Sequence, residues 1–181
     1  HTALDEAEKC AEYCGLEDDR KLQLRLLSEE VLGLMKSVVD DYEGHFWIST
    51  TGKTTFEIHV EADKAIGLDD RDRLVALRKG RKDTAAPKGV IGRLRAVLEE
   101  YLLAENTISK DPMLQAQISA GVGGCIPGDY MWSLKNYIEN LPEDKREEKD
   151  DLEKSIVTHM SDDIIIVVKP DRAELTAVKT F

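Results

Sequence analysis

Two adjacent carboxylates, Glu29 and Glu30, stand in the middle of a segment whose apolar residues recur at helical spacing. Adjacent residues of a helix do not share one face. The apolar stripe through Leu27, Val31 and Leu34 places Glu30 at its edge. A carboxylate at such an edge can act as a general base beside a cleft. Spacing alone favours the alternative, a solvent-exposed glutamate in a helix of good helix formers.

The segment Thr51-Gly52-Lys53-Thr54-Thr55 imitates the end of a phosphate-binding loop. That loop needs a glycine five residues before its Gly-Lys pair, and Trp47 occupies this position. The segment also precedes a predicted strand, whereas a phosphate-binding loop opens a helix. We therefore interpret it as a hairpin turn.

The three cysteines and four histidines suggest no metal site or disulfide framework. Cys10 and Cys14 lie four residues apart on a predicted helix, too far apart for an unstrained disulfide. They are either half of a metal site or, as we favour, thiols on the apolar helix face. Three thiols without a pairing framework predict a cytoplasmic protein. The histidines are expected to be structural or surface residues, because none has a cysteine or carboxylate at ligand spacing; they are His1, His45, His59 and His159.

Length and charge limit the class of protein. With 181 residues, the chain fits one domain with a sizeable core, spanning residues 1–181. A net charge of −11 argues against nucleic acid or an anionic membrane as a partner, because phosphates would be repelled. No stretch approaches the roughly 20 apolar residues of a membrane span, and the first residues lack the pattern of a signal peptide.

Periodicity predicts helices first, then a strand pair, further helices and a closing strand pair. Predicted helices cover 2–14, about 18–42, 68–79, 90–104 and 130–141, and a charged segment from 142 runs into a last helix ending near 159; predicted strands cover 46–50, 55–63, 163–169 and 173–180. The segment 80–89 is predicted to be a loop. The stretch 106–128 has no clear periodicity and is hard to assign.

The second strand alternates strictly between apolar and polar side chains. Phe56, Ile58, Val60 and Ala62 share one face, and Glu57, His59 and Glu61 share the other. A sheet with one apolar and one solvated face predicts helices packed on a single side. The expected fold class is therefore α/β (α+β), a two-layer sandwich with a mixed, mostly antiparallel sheet.

The chain resembles the Bergerat-fold (GHKL) ATPase superfamily, at the branch of anti-sigma factors and related serine kinases. The family pattern has a Gly-Leu turn and then a helix reading Leu-x-Leu-x-x-Glu-Glu-Leu-Leu-x-Asn. Gly15-Leu16 matches the turn. The helix from Leu24 follows the family pattern until its last position, where Leu34 stands in place of the asparagine. The hairpin beginning at Asp163 matches the family's C-terminal hairpin in position. The resemblance implies that Glu30 is the water-activating catalytic base.

Departures from the family pattern affect the Mg²⁺ ligand and the adenine anchor. The family's Mg²⁺-binding asparagine is replaced by Leu34, which cannot bind a hard cation. The position of its adenine-binding aspartate falls on Ala62, and the neighbouring Asp63 should point to the other face of the sheet. Lys64 and Ala65 occupy the next positions, where the family pattern has glycines. Glu30 without these partners should not hydrolyse ATP efficiently.

A basic segment occupies the place of the family's ATP lid, within a lid-like insertion at about 64–128. Nine basic residues fall between positions 71 and 95: Arg71, Arg73, Arg78, Lys79, Arg81, Lys82, Lys88, Arg93 and Arg95. Three interpretations stay open: a solvated surface paired with the acidic stretch 139–153, a site for an acidic protein partner, or a phosphate site. If the segment is a phosphate site, the predicted cofactor-binding residues are Asp63, Lys88, Gly89 and Gly92. The two glycines would bind the phosphate through free N–H groups at a helix start.

The resemblance with these losses predicts a divergent ATP-binding domain that is catalytically inactive and acts in regulation through protein–protein contacts. No cofactor and no metal are expected, and the partners would be another protein or a second copy of the chain. The alternative is an ATP-binding protein or serine kinase with a divergent pocket, in which case ATP is the cofactor. A structural obligate dimer is a third hypothesis, which a contiguous apolar patch would favour.

Overall fold

The computed structural model describes residues 2–39, 43–63, 89–110, 130–169 and 172–181. The helices in this part are α1 (Ala3–Cys14), α2 (Asp18–Val38), α3 (Gly89–Lys110), α4 (Leu134–Glu139), α5 (Arg146–Glu153) and α6 (Ile156–Met160), with a short 3-10 turn at Glu143–Lys145. The strands are β1 (Gly44–Thr51), β2 (Thr55–Ala62), β3 (Tyr130–Ser133), β4 (Asp163–Val168) and β5 (Ala173–Thr180).

The first helix is delimited by capping groups at both ends. The hydroxyl of Thr2 accepts a hydrogen bond from the Asp5 N–H, and the Asp5 carboxylate accepts one from the Thr2 N–H at 2.9 Å. This reciprocal pair is a capping box. At the other end, Gly15 adopts a φ of +74°, and the Leu16 N–H donates to the Ala11 carbonyl at 3.0 Å. The left-handed glycine turns the chain toward α2, which packs along α1.

The five strands form one sheet in the order β1-β2-β5-β4-β3, and every described pairing is antiparallel. A turn over Gly52 and Lys53, both at positive φ, joins β1 to β2 and sets Thr51 opposite Thr55. At the far end of this hairpin, a Cβ added to Gly44 would lie 1.8 Å from the Glu61 carbonyl oxygen. A glycine is therefore required where β1 begins beside β2.

One face of the sheet carries the core. Phe56, Ile58, Val60 and Ala62 of β2 are at most 1% exposed. They pack with the inward residues of β4 and β5 and with the apolar stripes of α2 and α3; the largest buried residues in this core include Leu24, Leu27, Met35, Leu94, Ile164, Ile166 and Leu175. The side chains on the opposite face are mostly half-buried. The predicted two-layer fold, with helices on one side of the sheet, is confirmed.

Most predicted elements are confirmed, and their differences from the structure have local causes. The predicted helix at 130–141 is wrong in its first turn, because residues 130–133 pair with β4 as a strand. The helix begins only at Leu134, where the Ser133 hydroxyl caps the Asn136 N–H. The last predicted helix is divided into α5 and α6 at Lys154 and Ser155. Helix α3 extends beyond its predicted end to Lys110.

Other predictions fall outside the part of the chain that the structure describes. These are the helix at 68–79, most of the loop at 80–89 and the stretch from 111 to 128. The predicted end of the second helix near residue 42 is wrong, because the helix ends at Val38 and Val39 is extended, while residues 40–42 lie outside the described ranges. Within the described ranges, no helix is both long and apolar enough to cross a bilayer.

Two leucines of α2 provide a matched test of the core. Leu24 is completely buried, whereas Leu22 on the same helix is 55% exposed. Leu24→Ala is expected to lower the free energy of unfolding by about 2–5 kcal/mol, because it removes buried methyl groups and leaves a cavity. Leu22→Ala should change it by less than about 0.5 kcal/mol. Urea unfolding followed by circular dichroism measures both, and equal losses would contradict this packing of α2.

Candidate functional site

Glu30 lies where the sequence placed it, at the boundary between the core and the surface of α2. Its neighbour Val31 is fully buried, Glu30 is half-buried and Glu29 is exposed. Within the described part of the chain, no hydrogen bond or ion pair engages the Glu30 carboxylate. Among the described residues, no polar group therefore orients this carboxylate.

The groups that would complete a nucleotide site around Glu30 are apolar and buried. Leu34, one turn further along α2, is 6% exposed and belongs to the core. Ala62, at the end of β2, is 1% exposed and faces the same core. Neither side chain offers an oxygen to a hard cation or an acceptor to an amine. The resemblance predicts polar partners for Glu30 at positions 34 and 62. Neither position provides one on this side of the sheet.

Asp63 extends from the end of β2 toward the solvated side, as the alternation predicted. Its N–H donates to the Glu43 carbonyl at 2.8 Å, which continues the pairing of β1 with β2 by one residue. Its carboxylate lies 3.1 Å from Nδ1 of His45. The Glu61 carboxylate lies 3.9 Å from the same nitrogen, and its other oxygen lies 3.5 Å from Nε of Arg172. Asp63 therefore joins a cluster of polar side chains at the end of the hairpin.

The remaining predicted cofactor-binding residues lie at the start of α3. Gly89 begins this helix with a φ of +65°, and Gly92 is half-buried one turn later. Lys88 lies outside the described residues. The two last members of the basic segment bind other helices. The Arg93 guanidinium lies 4.2 Å from the centre of the Tyr137 ring, and Arg95 donates to the Ser37 carbonyl at 3.0 Å. Both cations help to fasten α3 to its neighbours.

A histidine at the centre of the solvated face organises the largest polar network of the described residues. His59 Nε2 lies 3.0 Å from Ser49 Oγ, and Nδ1 lies 3.1 Å from a Glu174 carboxylate oxygen and 3.0 Å from Thr176 Oγ1. The imidazole stacks on the Trp47 ring, with 4.7 Å between the ring centres and 5° between the planes. Its side chain is only 12% exposed.

Ser49, His59 and Glu174 have the connectivity of a nucleophilic triad, but their surroundings do not favour that chemistry. The Glu57 carboxylate lies 3.0 Å from Ser49 Oγ and competes with the imidazole for the hydroxyl proton. It also sets a negative charge beside the hydroxyl, whereas acyl transfer is favoured by hydrogen-bond donors near the nucleophile. We interpret the network as cross-strand stabilisation of the sheet.

The sequence predicted neither the environment of His45 nor that of His59. Both histidines have carboxylate neighbours, which were not expected from the sequence. The alternation of β2 was one available signal, since it placed Glu57, His59 and Glu61 on one face. The partners from β1 and β5 depend on strand register, which periodicity does not specify.

Cys10 and Cys14 are half-buried on α1 and pack against the core, which agrees with their interpretation as apolar-face thiols. Burial, with a smaller effect from the neighbouring Cys14, raises the pKa of Cys10 from 9.0 to about 11. A raised pKa keeps the thiol protonated at neutral pH, so Cys10 is a poor nucleophile and a poor metal ligand.

Comparisons with known proteins yield no relative: no family model, no curated protein and no solved structure matches this chain. The interpretation of the site therefore depends on its own geometry.

Replacing His59 should destabilise the fold. His59→Ala removes the partners of Ser49, Glu174 and Thr176 together with the stack on Trp47. We expect the free energy of unfolding at pH 7 to fall by about 1–3 kcal/mol, because the half-buried Glu174 carboxylate loses a hydrogen-bonding partner and the stack on Trp47 is lost. Urea denaturation measures this change.

The matched control is His159→Ala, since this histidine is exposed on α6 and should cost less than about 0.5 kcal/mol. Covalent labelling of Ser49 by a fluorophosphonate probe would contradict the structural interpretation of the network and would make Ser49 a nucleophile.

Alkylation of Cys10 by iodoacetamide should reflect its raised pKa. At pH 8 a thiol with a pKa of about 11 has about 100-fold less thiolate than one with a pKa of 9.0. In the folded protein, the rate should keep rising about tenfold per pH unit up to pH ~9.5, because the titration midpoint lies higher. In urea, the rate should reach half of its maximum near pH 9 and level off about one pH unit higher. Peptide mapping by tandem mass spectrometry separates Cys10 from Cys14, and identical pH profiles in both states would contradict the shift.

Proposed function

We propose that this protein acts through protein–protein contacts and does not hydrolyse ATP, as a divergent member of the class of ATP-binding domains that its sequence resembles. The observation that carries the proposal is the burial of Leu34 and Ala62 in the apolar core. A relative that hydrolysed ATP would need polar groups at these two positions. Glu30 alone can accept a proton, but the side chains at positions 34 and 62 offer no ligand for a metal ion that would polarise the phosphate.

The solvated face of the sheet supports a role in binding another protein. Met131 is 70% exposed on β3 and lies opposite Val167 of β4. Ile165, two residues before Val167, and Val178 of β5 are half-buried on the same face. In the described part of the chain, the helices pack on the other side. Apolar side chains grouped on a sheet face that the described helices leave uncovered favour contact with a protein surface.

The second candidate function is ATP binding by a divergent pocket. It is favoured by the half-buried Glu30 carboxylate, which has no partner among the described residues, and by the left-handed Gly89 at the start of α3. Free N–H groups at a helix start attract phosphate. In this case Glu30 would be the base, whereas Asp63 extends toward the other face of the sheet and contacts His45 instead.

Calorimetric titration with ATP and Mg²⁺ separates the two functions. We expect no binding tighter than about 100 µM, which corresponds to roughly −5.5 kcal/mol, and no release of inorganic phosphate. The buried apolar side chains at positions 34 and 62 are the reason, because they provide no ligand for Mg²⁺ or adenine.

Tighter binding of ATP would overturn the proposal and favour the second function. In that case, Glu30→Gln should abolish turnover while affinity is kept, since glutamine has similar shape but cannot accept the proton. Glu29→Gln, on the exposed neighbour, is the matched control and should change neither quantity.

A further inference from the structure

We propose that His45, Glu61 and Asp63 form a binding site for a divalent transition-metal ion of the zinc class at the open end of the β1–β2 hairpin. One imidazole nitrogen and two carboxylate oxygens lie within 4.8 Å of one another. The site lies on the solvated side of the sheet. It is independent of the proposed function, and neither proposal needs the other.

The separations of these atoms suit an ion placed between them. Zinc binds nitrogen and oxygen ligands at about 2.0–2.2 Å in a tetrahedral arrangement, so its ligand atoms lie about 3.4 Å apart. Nδ1 of His45 is 3.1 Å from Oδ2 of Asp63 and 3.9 Å from Oε1 of Glu61. These two distances bracket the required value, so small side-chain rotations would bring the three ligand atoms onto one ion.

The backbone holds the three residues in register. His45 lies directly opposite Glu61 in the antiparallel pair, and Glu43 accepts the Asp63 N–H at 2.8 Å. The close approach of Gly44 to the Glu61 carbonyl fixes the position from which the His45 side chain extends. The ligands are therefore positioned on paired strands, which hold a site more rigidly than a loop would.

The surrounding charges favour a cation. Glu61 and Asp63 contribute two negative charges, and the Arg172 guanidinium lies 3.5 Å from the Glu61 oxygen other than the one nearest His45. Arg172 can thus orient Glu61 while its other oxygen stays directed at the ion, as an outer-shell partner does in metal sites. The whole chain carries a net charge of −11, which attracts cations in general.

The donor set selects the class of ion. Calcium and magnesium prefer oxygen ligands alone, whereas imidazole suits zinc and its first-row neighbours. The His45 side chain is 70% exposed and that of Asp63 43%, so a fourth position remains open to water. A bound ion would join the ends of β1 and β2 at the point where the chain leaves the sheet.

Titration of the full chain with Zn²⁺ tests the site. His1 offers a further imidazole and is replaced by alanine in every protein used, so that it does not contribute. We expect one ion bound per chain, with a dissociation constant below about 100 µM and a rise in Tm on adding the metal, because binding to the folded state stabilises it. With Co²⁺ in place of Zn²⁺, visible d–d absorption should report the same stoichiometry.

Single replacements distinguish this site from adventitious binding. His45→Ala, Glu61→Gln and Asp63→Asn should each weaken Zn²⁺ binding at least about 10-fold and remove the rise in Tm. His159→Ala, on an exposed histidine of α6, should leave both unchanged. Because His45 is exposed, its replacement leaves the core intact, so a loss of binding reports the ligand. Absence of binding in the parent protein, or unchanged binding in His45→Ala, would overturn the proposal.

Discussion

The structure depends on strand β2, which is paired on both edges and buried on one face. It forms hydrogen bonds with β1 on one side and with β5 on the other, so its backbone is fixed in register along its whole length. Its inward side chains, from Phe56 to Ala62, are almost completely removed from water by α2 and by the neighbouring strands. A shift of one residue would expose this row and bury Glu57, His59 and Glu61.

The same constraint fixes the chemistry of the opposite face. Because the inward row cannot shift, each outward residue of β2 has definite neighbours on β1 and β5. His59 is set between Trp47 and Thr176, and Glu61 between His45 and Glu174. The polar network and the cluster at the end of the hairpin are consequences of packing on the other side of the sheet.

On the helical side, the packing that stabilises α2 also removes the polar groups a nucleotide would need. Leu34 continues the stripe of Leu24, Leu27 and Val31 into the core. Leu34, whose aliphatic side chain cannot bind a hard cation, thus contributes to the core that stabilises the fold. Glu30, at the edge of this stripe, lies beside the core, and no described residue forms a hydrogen bond or ion pair with its carboxylate.

Much of the fold could be predicted because its signals are local. The helical stripe of α2, the alternation of β2 and the closing strand pair each appear within a dozen or so consecutive residues. The first turn of the predicted 130–141 helix was wrong because Trp132 is set opposite Ile166 of β4, a contact that no local pattern shows. The burial of Leu34 and Ala62 followed from the same periodicities, and so did the direction of Asp63.

The sequence by itself determined which side chains face the core, because the period of a helix or strand is a property of the nearest residues. Only the tertiary structure decided what the solvated face brings together. Glu174 and Thr176 stand 115 and 117 residues from the histidine that they contact. His45 meets Glu61 and Asp63 through the register of a hairpin. Strand register depends on the burial of the whole sheet, so these clusters exist only in the folded chain.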